Sequence, residues 1–544
     1  MKKILKAITY YNIIPWLSII CILIFYNEPI SNFIYEAANL STLGWYDKIL
    51  SRSIQLIIKI GLPCWLCYQY YKHYLSKKYL LLTGRSLGSD KSSYNRTYTE
   101  LVNYFKNAEP QKLDTAKLPQ KKWTESHGLI LGKVGKRLIE YVPNKNGIVS
   151  FCWGSPGIGK TAAVIIPSAR QFGLYKEEGR YIQKAGCMVL DLKGDVYEAN
   201  SKYRKIKRFT TIDYGNSCHY DPLSEARKMN DDDREIFLAD LATILLPYDG
   251  SDDGVYFIDV ARDFFTGILL YSLNEDVNIG FSDICLKITL QSFSFWGDAI
   301  EKSGYVHAQK YINKFKDENE KNVGGGYSKL SKNLTLYTTG IMKTLLTAEG
   351  ECISPSDLEH CTDVYIQVDP TKMILYGPMV ALLFNTFMAA ALHRKAGQNP
   401  PLAYIIDEFG QLPYMPIIAQ AAALMRAYNA SILISTQSLA QVEEHYGDKG
   451  TTQLMDCARG HAFLSIQDPD TRDWASRLIG TRKVLKMGSS SDHKGEDSGS
   501  RSSSEDREKV FEPESFGLLP DDDSVVVYMD GHYVKGQKTY YFKK

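Results

Sequence analysis

The 544-residue sequence predicts an α/β protein in which helices cover a buried, largely parallel β-sheet. Short apolar runs recur along the chain with helical patterns between several of them, which is typical of parallel strands buried on both faces. A glycine-rich turn follows one such run and precedes a helical pattern, the context in which α/β proteins bind phosphate groups. Two long apolar segments near the N-terminus add a predicted membrane hairpin ahead of the sheet.

Composition and length limit the class of protein. Hydrophobic residues make up 44% of the chain and charged residues 23%, which is typical of globular protein, and the length allows two or three domains. The net charge of +2 neither favours nor excludes nucleic-acid binding, so any basic surface must be local. The cysteines are scattered except for Cys64 and Cys67 in an apolar stretch, which favours reduced, buried thiols over a metal site.

The two apolar segments predict a transmembrane hairpin over residues 1–78, with spans at about 8–26 and 53–71. The only charged residue in the two spans is Lys59, near one end of the second. Basic residues precede the first span and follow the second, so both ends are expected in the cytoplasm of an inner-membrane protein. A cleaved signal peptide is the alternative for the first span, but it would export the glycine-rich loop to a compartment without ATP.

The rest of the chain divides into three predicted regions. Residues 79–127 are expected to form a polar cytoplasmic connector, and residues 128–225 and 350–544 the sheet domain. Residues 226–349 carry apolar faces at helical spacing, which predicts an all-α insertion domain. The Ser-, Gly- and charge-rich segment 487–509 is predicted to be a flexible loop.

Strand patterns define the predicted sheet. A hairpin is expected in HGLILGKVGKRLIEYV, and another near the C-terminus that turns at Asp530 and Gly531. The buried parallel strands are predicted at residues 148–153, 187–190, 364–368, 404–406 and 432–434.

The sequence GSPGIGKT is the strongest chemical signal. It fits the pattern G-x-x-x-x-G-K-[ST], in which glycines let backbone amides face phosphate oxygens and the following helix adds its positive end. Lys160 is expected to contact the outer phosphates of ATP, and Thr161 to ligate Mg²⁺. The predicted nucleotide-binding residues are Gly154, Ser155, Pro156, Gly157, Ile158, Gly159, Lys160 and Thr161.

A carboxylate at the end of a buried strand is also needed to hold the metal. Asp407 and Glu408 in LAYIIDEFGQLP are favoured, because Asp407 can organise Mg²⁺ while Glu408 polarises the attacking water; a helix-capping acid pair is the alternative. Asp191 in CMVLDLKGD is interpreted as a structural or nucleotide-adjacent turn residue, because Leu192 and Lys193 after it cannot polarise water.

Two further residues are candidates. Gln437 ends the strand after that of Asp407 and could sense the γ-phosphate, with an ordinary strand-end residue as the alternative. Arg426 lies before that strand; on its own it is either surface charge or a residue that completes the site of an adjacent subunit.

The chain resembles the type IV secretion coupling proteins, the membrane-anchored ATPases of bacterial conjugation and effector export. The resemblance implies a RecA-like P-loop NTPase domain, an all-α insertion near the channel entrance, a hexameric ring, and ATP and Mg²⁺ as cofactors. It also implies that Arg426 acts in trans as an arginine finger and that Gln437 senses phosphate, beside Lys160, Asp407 and Glu408. The segments that carry it are HGLILGKVGKR, GSPGIGKT, VLDLKGDVYE, YDPLSEA, IIDEFGQLP, ILISTQSLAQ and the C-terminal FEPESFGLLPDDDSVVVYMDGHYVKGQKTYYF.

The function that the resemblance implies is ATP-driven recruitment and pumping of substrate into a type IV secretion channel. The implied partners are inner-membrane channel proteins, a relaxase–DNA complex or effector and adaptor proteins, and single-stranded DNA bound without sequence preference. Candidate DNA contacts are KYINKFKDENEKN and GGGYSKLSKN, with solvated helix faces as the alternative. A septal double-stranded DNA translocase and a nucleotide-gated docking scaffold with little hydrolysis are the alternative functions.

Overall fold

The computed structural model describes residues 112–118, 120, 122–142, 147–248, 254–316, 318–489, 501–519 and 524–542. The predicted transmembrane hairpin and most of the predicted connector lie outside these residues. Among the described residues one helical segment, Pro370–Leu392, is long and apolar enough to cross a membrane. Because 67% of its most apolar window is buried inside the protein, it fits a core helix better than a membrane span.

An eleven-stranded mixed sheet forms the centre of the fold, in the order β2-β1-β15-β14-β11-β3-β10-β9-β6-β8-β7. The strands, including those of two small sheets, are β1 (Leu129–Val134), β2 (Arg137–Tyr141), β3 (Val149–Trp153), β4 (Leu174–Glu177), β5 (Arg180–Gln183), β6 (Gly186–Leu190), β7 (Ile206–Thr210), β8 (Asp363–Gln367), β9 (Leu402–Ile406), β10 (Ala430–Thr436), β11 (Gly460–Phe463), β12 (Thr481–Ser489), β13 (Arg501–Lys509), β14 (Ser524–Met529) and β15 (His532–Gln537). From β11 to β7 in the sheet order, neighbouring strands are parallel.

The predicted parallel strands are confirmed, and their composition explains their position. Every residue of β3, β6, β8, β9 and β10 is buried, as expected for strands covered on both faces. Both predicted hairpins also form, and they supply the antiparallel strands that make the sheet mixed. The last hairpin turns at Asp530 and Gly531, whose φ angles of 51° and 81° are those of a tight type I′ connection.

The described residues also form fifteen α-helices, some packed against the sheet and others in the insertion between β7 and β8. They are α1 (Ile166–Gln171), α2 (Asp195–Asn200), α3 (Asp231–Leu245), α4 (Gly254–Glu275), α5 (Phe281–Leu290), α6 (Phe293–Ser303), α7 (Val306–Ile312), α8 (Glu320–Leu334), α9 (Gly340–Leu345), α10 (Pro355–Glu359), α11 (Met373–Leu392), α12 (Pro416–Leu424), α13 (Leu439–Cys457), α14 (Pro469–Ile479) and α15 (Pro513–Gly517). A π-helical turn, Thr161–Ile165, leads into α1.

The helical insertion lies between β7 and β8. The described residues from 226 to 349 contain helices and turns but no strand. Because β7 and β8 are parallel neighbours, the chain leaves the sheet at the carboxyl end of β7 and re-enters it at the amino end of β8. A fully buried ion pair between Arg204 and Asp363, with Arg204 Nη2 2.9 Å from Asp363 Oδ1, joins the amino ends of β7 and β8. The pair is enclosed, so removing either partner would leave a buried charge without its counter-ion.

The segment 487–509 differs from its prediction as a flexible loop. Its first residues belong to β12 and its last nine are β13, which pairs with β12 as an antiparallel ribbon from Thr481–Lys509 to Ser489–Arg501. Residues 490–500 lie outside the described residues. The prediction was wrong for the two strands because their pairing uses backbone hydrogen bonds, which a polar composition does not prevent.

Candidate active site

The glycine-rich loop lies at the carboxyl end of β3. The Gly154 N–H donates to the Thr436 carbonyl at 3.2 Å, and the Ser155 N–H donates to the Ser465 carbonyl at 2.8 Å. These bonds fix the loop between the ends of β10 and β11, the neighbours of β3. Gly157 and Gly159 have φ angles of 75° and 92°, which side chains adopt only with strain. The two glycines therefore permit the turn that the motif requires.

The side chain of Lys160 folds back onto the start of the loop. Its side chain is buried, with 7% of the residue exposed. Its Nζ donates to the carbonyl of Gly154 at 2.6 Å and to that of Ser155 at 3.3 Å. A buried ammonium group thus lies inside the loop, next to the amino end of the helical segment that starts at Thr161, and both features favour an anion.

Asp407 directly contacts Thr161. Asp407 follows β9, and its Oδ2 accepts a 2.7 Å hydrogen bond from the Thr161 hydroxyl. Burial raises the pKa of Asp407, while the hydrogen bond from Thr161 opposes that rise. Among the described residues there is no cluster of three metal-ligating side chains. A hydroxyl and one carboxylate nevertheless fit Mg²⁺, which usually takes few protein ligands and fills its shell with phosphate oxygens and water.

Glu408 is held by an ion pair that the sequence did not indicate. Its φ of 59° lies in the left-handed region, and its Oε1 accepts a 2.7 Å hydrogen bond from Lys193 Nζ. This bond raises the pKa of Lys193. Glu408 caps no backbone group of the 3-10 turn Phe409–Gln411 that follows it, so the side chain is directed to Lys193 instead of to helix capping.

Asp191 has a structural role in the fold. Its carboxylate accepts from the backbone N–H groups of Gly194 at 3.0 Å and Tyr197 at 2.7 Å, at the start of α2. Burial raises its pKa to about 6, although these hydrogen bonds oppose the rise. This geometry agrees with the interpretation of Asp191 as a turn residue.

Gln437 and Arg426 flank opposite ends of the same strand, β10, with Gln437 at its carboxyl end and Arg426 before its amino end. Thr436 pairs with Trp153, so Gln437, the next residue, lies beside the start of the glycine-rich loop. Arg426 is exposed and precedes β10; its carbonyl accepts from the Gly147 N–H at 3.0 Å. At about 3.3 Å per residue, β10 separates Arg426 from the loop of its own chain by roughly 20 Å. The structure therefore brings Gln437, but not Arg426, to this site.

The segment after β15 also reaches the loop. Lys538 Nζ donates to the Ile158 carbonyl at 2.9 Å, and the Tyr541 N–H donates to the Ala162 carbonyl at 3.1 Å. The sequence pattern of this region predicts only a hairpin. The mixture of lysine and aromatic residues in QKTYYF, directly after the strand, is the signal that could have suggested a site.

Known proteins resemble this chain in sequence and in fold. A family model described as "Type IV secretory system Conjugative DNA transfer" matches residues 106–544. Protein VirD4 of Agrobacterium fabrum is 24% identical over 419 residues, covering 74% of this chain and 60% of that protein. Protein VirD4 of Rhizobium radiobacter is 22% identical over 396 residues, covering 71% and 55%. The chain thus spans less than two thirds of the length of these relatives.

Solved structures of the coupling protein TrwB share the fold. The complex of TrwB with the ATP analogue ADPNP has a TM-score of 0.59 at 17% identity, covering 80% of this chain and 94% of that one. The unbound monoclinic form has a TM-score of 0.58, with 77% and 90% covered. These likenesses confirm the RecA-like P-loop α/β fold. Since the family model matches most of its length, this chain belongs to the family of type IV secretory system conjugative DNA transfer proteins.

Proposed function

We propose that this chain is an inner-membrane coupling ATPase that uses ATP hydrolysis to recruit substrate and pump it into a type IV secretion channel during conjugation. The observation that carries the proposal is the 2.7 Å contact between Thr161 and Asp407 beside a phosphate-binding loop. Thr161 and Asp407 would offer Mg²⁺ a hydroxyl and a carboxylate beside the outer phosphates of a bound nucleotide. Structures of TrwB with ADPNP and with ADP and Mg²⁺ support these cofactors.

In the proposed mechanism each residue has a distinct task. Bound Mg²⁺ would neutralise phosphate charge, and Thr161 and Asp407 would hold it. The loop from Gly154 to Thr161 binds the phosphates through its amides, and Lys160 exchanges its carbonyl partners for phosphate oxygens. Glu408 accepts the proton of the attacking water. Its position is maintained by Lys193.

The remaining site residues would link hydrolysis to movement. Gln437 lies beside the loop, where it can sense the γ-phosphate and transmit its loss to the segment before α13. Arg426 would complete the site of a neighbouring protomer in a hexameric ring, because it lies too far from the loop of its own chain. Its exposed position before β10 is compatible with such a contact.

The membrane and cargo parts of the proposal rest on sequence and family. Residues 1–78 would form the membrane hairpin, with the N-terminus and the ATPase domain in the cytoplasm. The cargo would be single-stranded DNA with bound relaxase, an effector protein, or both, delivered to channel proteins directly or through adaptors. In the first lysine-rich stretch, Lys310, Lys314 and Lys316 form ion pairs with Glu235, Asp263 and Glu301, which favours a structural role over DNA contact.

The test is hydrolysis by the purified full-length protein with and without single-stranded DNA. A motor is expected to hydrolyse ATP faster when single-stranded DNA is added, and Lys160→Ala is expected to abolish hydrolysis and transfer while the protein still melts cooperatively. Near-zero turnover that DNA leaves unchanged would favour a docking scaffold. Stimulation by double-stranded DNA alone would favour a septal-type translocase.

A further inference from the structure

The tail, residues 538–542 after β15, lies alongside the phosphate-binding loop. Two hydrogen bonds fix its ends: Lys538 Nζ contacts the carbonyl of Ile158, and the Tyr541 N–H contacts that of Ala162. Between them the Tyr540 ring approaches Gly159, with ring atoms 3.1–3.7 Å from the position that a Cβ on this glycine would occupy. The tail and the loop therefore run side by side over residues 158–162.

Other contacts hold the tail in place. Lys538 and Thr539 are 2% and 1% exposed. The Arg170 guanidinium lies 5.3 Å from the centroid of the Tyr541 ring, and its Nε donates to Asn200 Oδ1 at 2.9 Å. Tyr541 is thereby packed against α1, the helix that follows the loop. The position of Tyr540 between two anchored neighbours is consequently well defined.

Tyr540 has a neighbouring ring in a stacked arrangement. Its centroid lies 5.2 Å from that of Phe542, with 27° between the ring planes. Tyr540 is half-buried and Phe542 is 60% exposed, so the pair presents aromatic surface at the edge of the loop. Rings of this kind bind the flat faces of nucleobases, whereas they contribute little to binding a phosphate group.

The tail contacts the chain as far as Ala162, in the first turn of the helical segment that follows Lys160. Loop amides cradle the α- and β-phosphates and the lysine reaches the β- and γ-phosphates, so the nucleoside leaves on the α-phosphate side. We propose that the tail forms the base-binding side of the nucleotide site, with the Tyr540 ring stacking on a purine. The proposal rests on the proposed function, since it requires a nucleotide in this loop.

The experiment compares binding of ATP with binding of inorganic tripolyphosphate, which has the phosphates but no base. Both are measured with Mg²⁺ on the full-length protein, by competition against radiolabelled ATP. Tyr540→Leu is expected to weaken ATP binding roughly tenfold, as expected when a stacked ring is lost. It should leave tripolyphosphate binding unchanged. Tyr540→Phe keeps the ring and should bind ATP as the unaltered protein does, and Tyr214→Leu, at an exposed tyrosine in another turn, is the matched control.

The outcomes separate this inference from the proposed function. If Lys160→Ala leaves binding of both ligands unchanged, the loop is not a nucleotide site and the proposed function fails. If Lys160→Ala weakens both while Tyr540→Leu weakens both equally or neither, only the base-binding role of the tail is overturned. Photolabelling of the unaltered protein with 2-azido-ATP needs no folded variant. Label on residues 538–542 supports the inference, and label elsewhere contradicts it.

Discussion

Lys193 and Glu408 form an ion pair across 215 residues of sequence, with Lys193 Nζ 2.7 Å from Glu408 Oε1. The pair joins the turn after β6 to the turn after β9, two neighbouring strands of the sheet. Its lysine is 59% exposed, so its contribution to stability is expected to be small, within about 1 kcal/mol. Its importance is positional, because it fixes the direction of the carboxylate proposed to accept a proton.

Replacing Lys193 should therefore lower turnover more than it lowers stability. Lys193→Ala is expected to reduce kcat for ATP roughly tenfold with little change in KM, since a displaced proton acceptor affects the chemical step. Lys193→Arg should recover part of the loss. The matched control is Lys184→Ala, which breaks an exposed pair with Glu177 of similar length, 2.6 Å, away from the site. Equal kcat for Lys193→Ala and Lys184→Ala would show that the pair does not orient Glu408.

Thr161 should matter through its hydroxyl. Thr161→Ala is expected to raise the Mg²⁺ concentration needed for half-maximal hydrolysis by roughly ten- to a hundredfold, because it removes both a metal ligand and the partner of Asp407. Thr161→Ser keeps the hydroxyl and should stay within about threefold of the unaltered protein. Hydrolysis measured against free Mg²⁺ gives the comparison. Identical Mg²⁺ requirements for the alanine and serine variants would exclude this residue from the metal site.

The buried carboxylate of Asp407 predicts an unusual dependence of stability on pH. Because burial raises its pKa, the folded protein binds this proton more tightly than the unfolded chain. The Asp407 contribution to stability therefore falls as pH rises through the interval between the ordinary aspartate pKa and the raised one. Asp407→Asn carries no charge and should melt about 2 °C or more above the unaltered protein at neutral pH in EDTA. At a pH below the ordinary aspartate pKa this difference should vanish.

Binding of ATP and Mg²⁺ should reverse the order of the two melting temperatures. With ATP and Mg²⁺ the unaltered protein should gain stability by binding, while Asp407→Asn should gain less because it lacks the metal carboxylate. Melting temperatures by differential scanning fluorimetry, with and without ligand, test both statements. A variant that is less stable at neutral pH and still gains as much from ligand would contradict the assignment of Asp407 as the metal residue.

The proposed role of Arg426 in a neighbouring protomer predicts that ATP hydrolysis depends on which variants are mixed in one ring. Arg426→Ala is expected to bind ATP normally, because this residue lies far from the loop of its own chain. The variant is expected to lose most hydrolysis, on the order of a hundredfold or more, because an arginine from a neighbouring subunit would stabilise the transition state. Rings that mix Arg426→Ala with Lys160→Ala should recover some activity, since an intact loop then meets an intact arginine. Arg477→Ala, at an exposed position on α14, is the control. Absence of any recovery in mixed rings, with assembly verified, would count against a role in trans.

The sequence was sufficient for the parts of the site that local pattern encodes. Gly154 to Thr161 form a strand–loop–helix motif, and Asp407 follows an apolar run, so both were expected at the carboxyl edge of one parallel sheet. Burial of whole strands explains this success, because strands covered on both faces leave nearly continuous apolar runs. Placing Asp407 next to Thr161 needed only that β9 and β3 lie on either side of β10.

The parts that were missed depend on the order of strands in the sheet. Lys193 meets Glu408 because β6 pairs with β9, and Lys538 meets Ile158 although 380 residues separate them. Neither pairing leaves a local pattern, since a strand of given composition can occupy several positions in a sheet. The charge of Lys193 cannot polarise water, but this cation can still position Glu408, the carboxylate proposed to do so.

The contact between Lys538 and the loop has a consequence for the timing of biosynthesis. Ribosomes make the glycine-rich turn some 380 residues before they make its partner, so a nascent chain carries the motif long before the tail exists. The strands that separate β1 from β11 in the sheet, β14 and β15, are likewise made after both of these strands. Any fragment of the chain that ends before residue 538 would therefore carry the glycine-rich turn without the contact from Lys538 to Ile158.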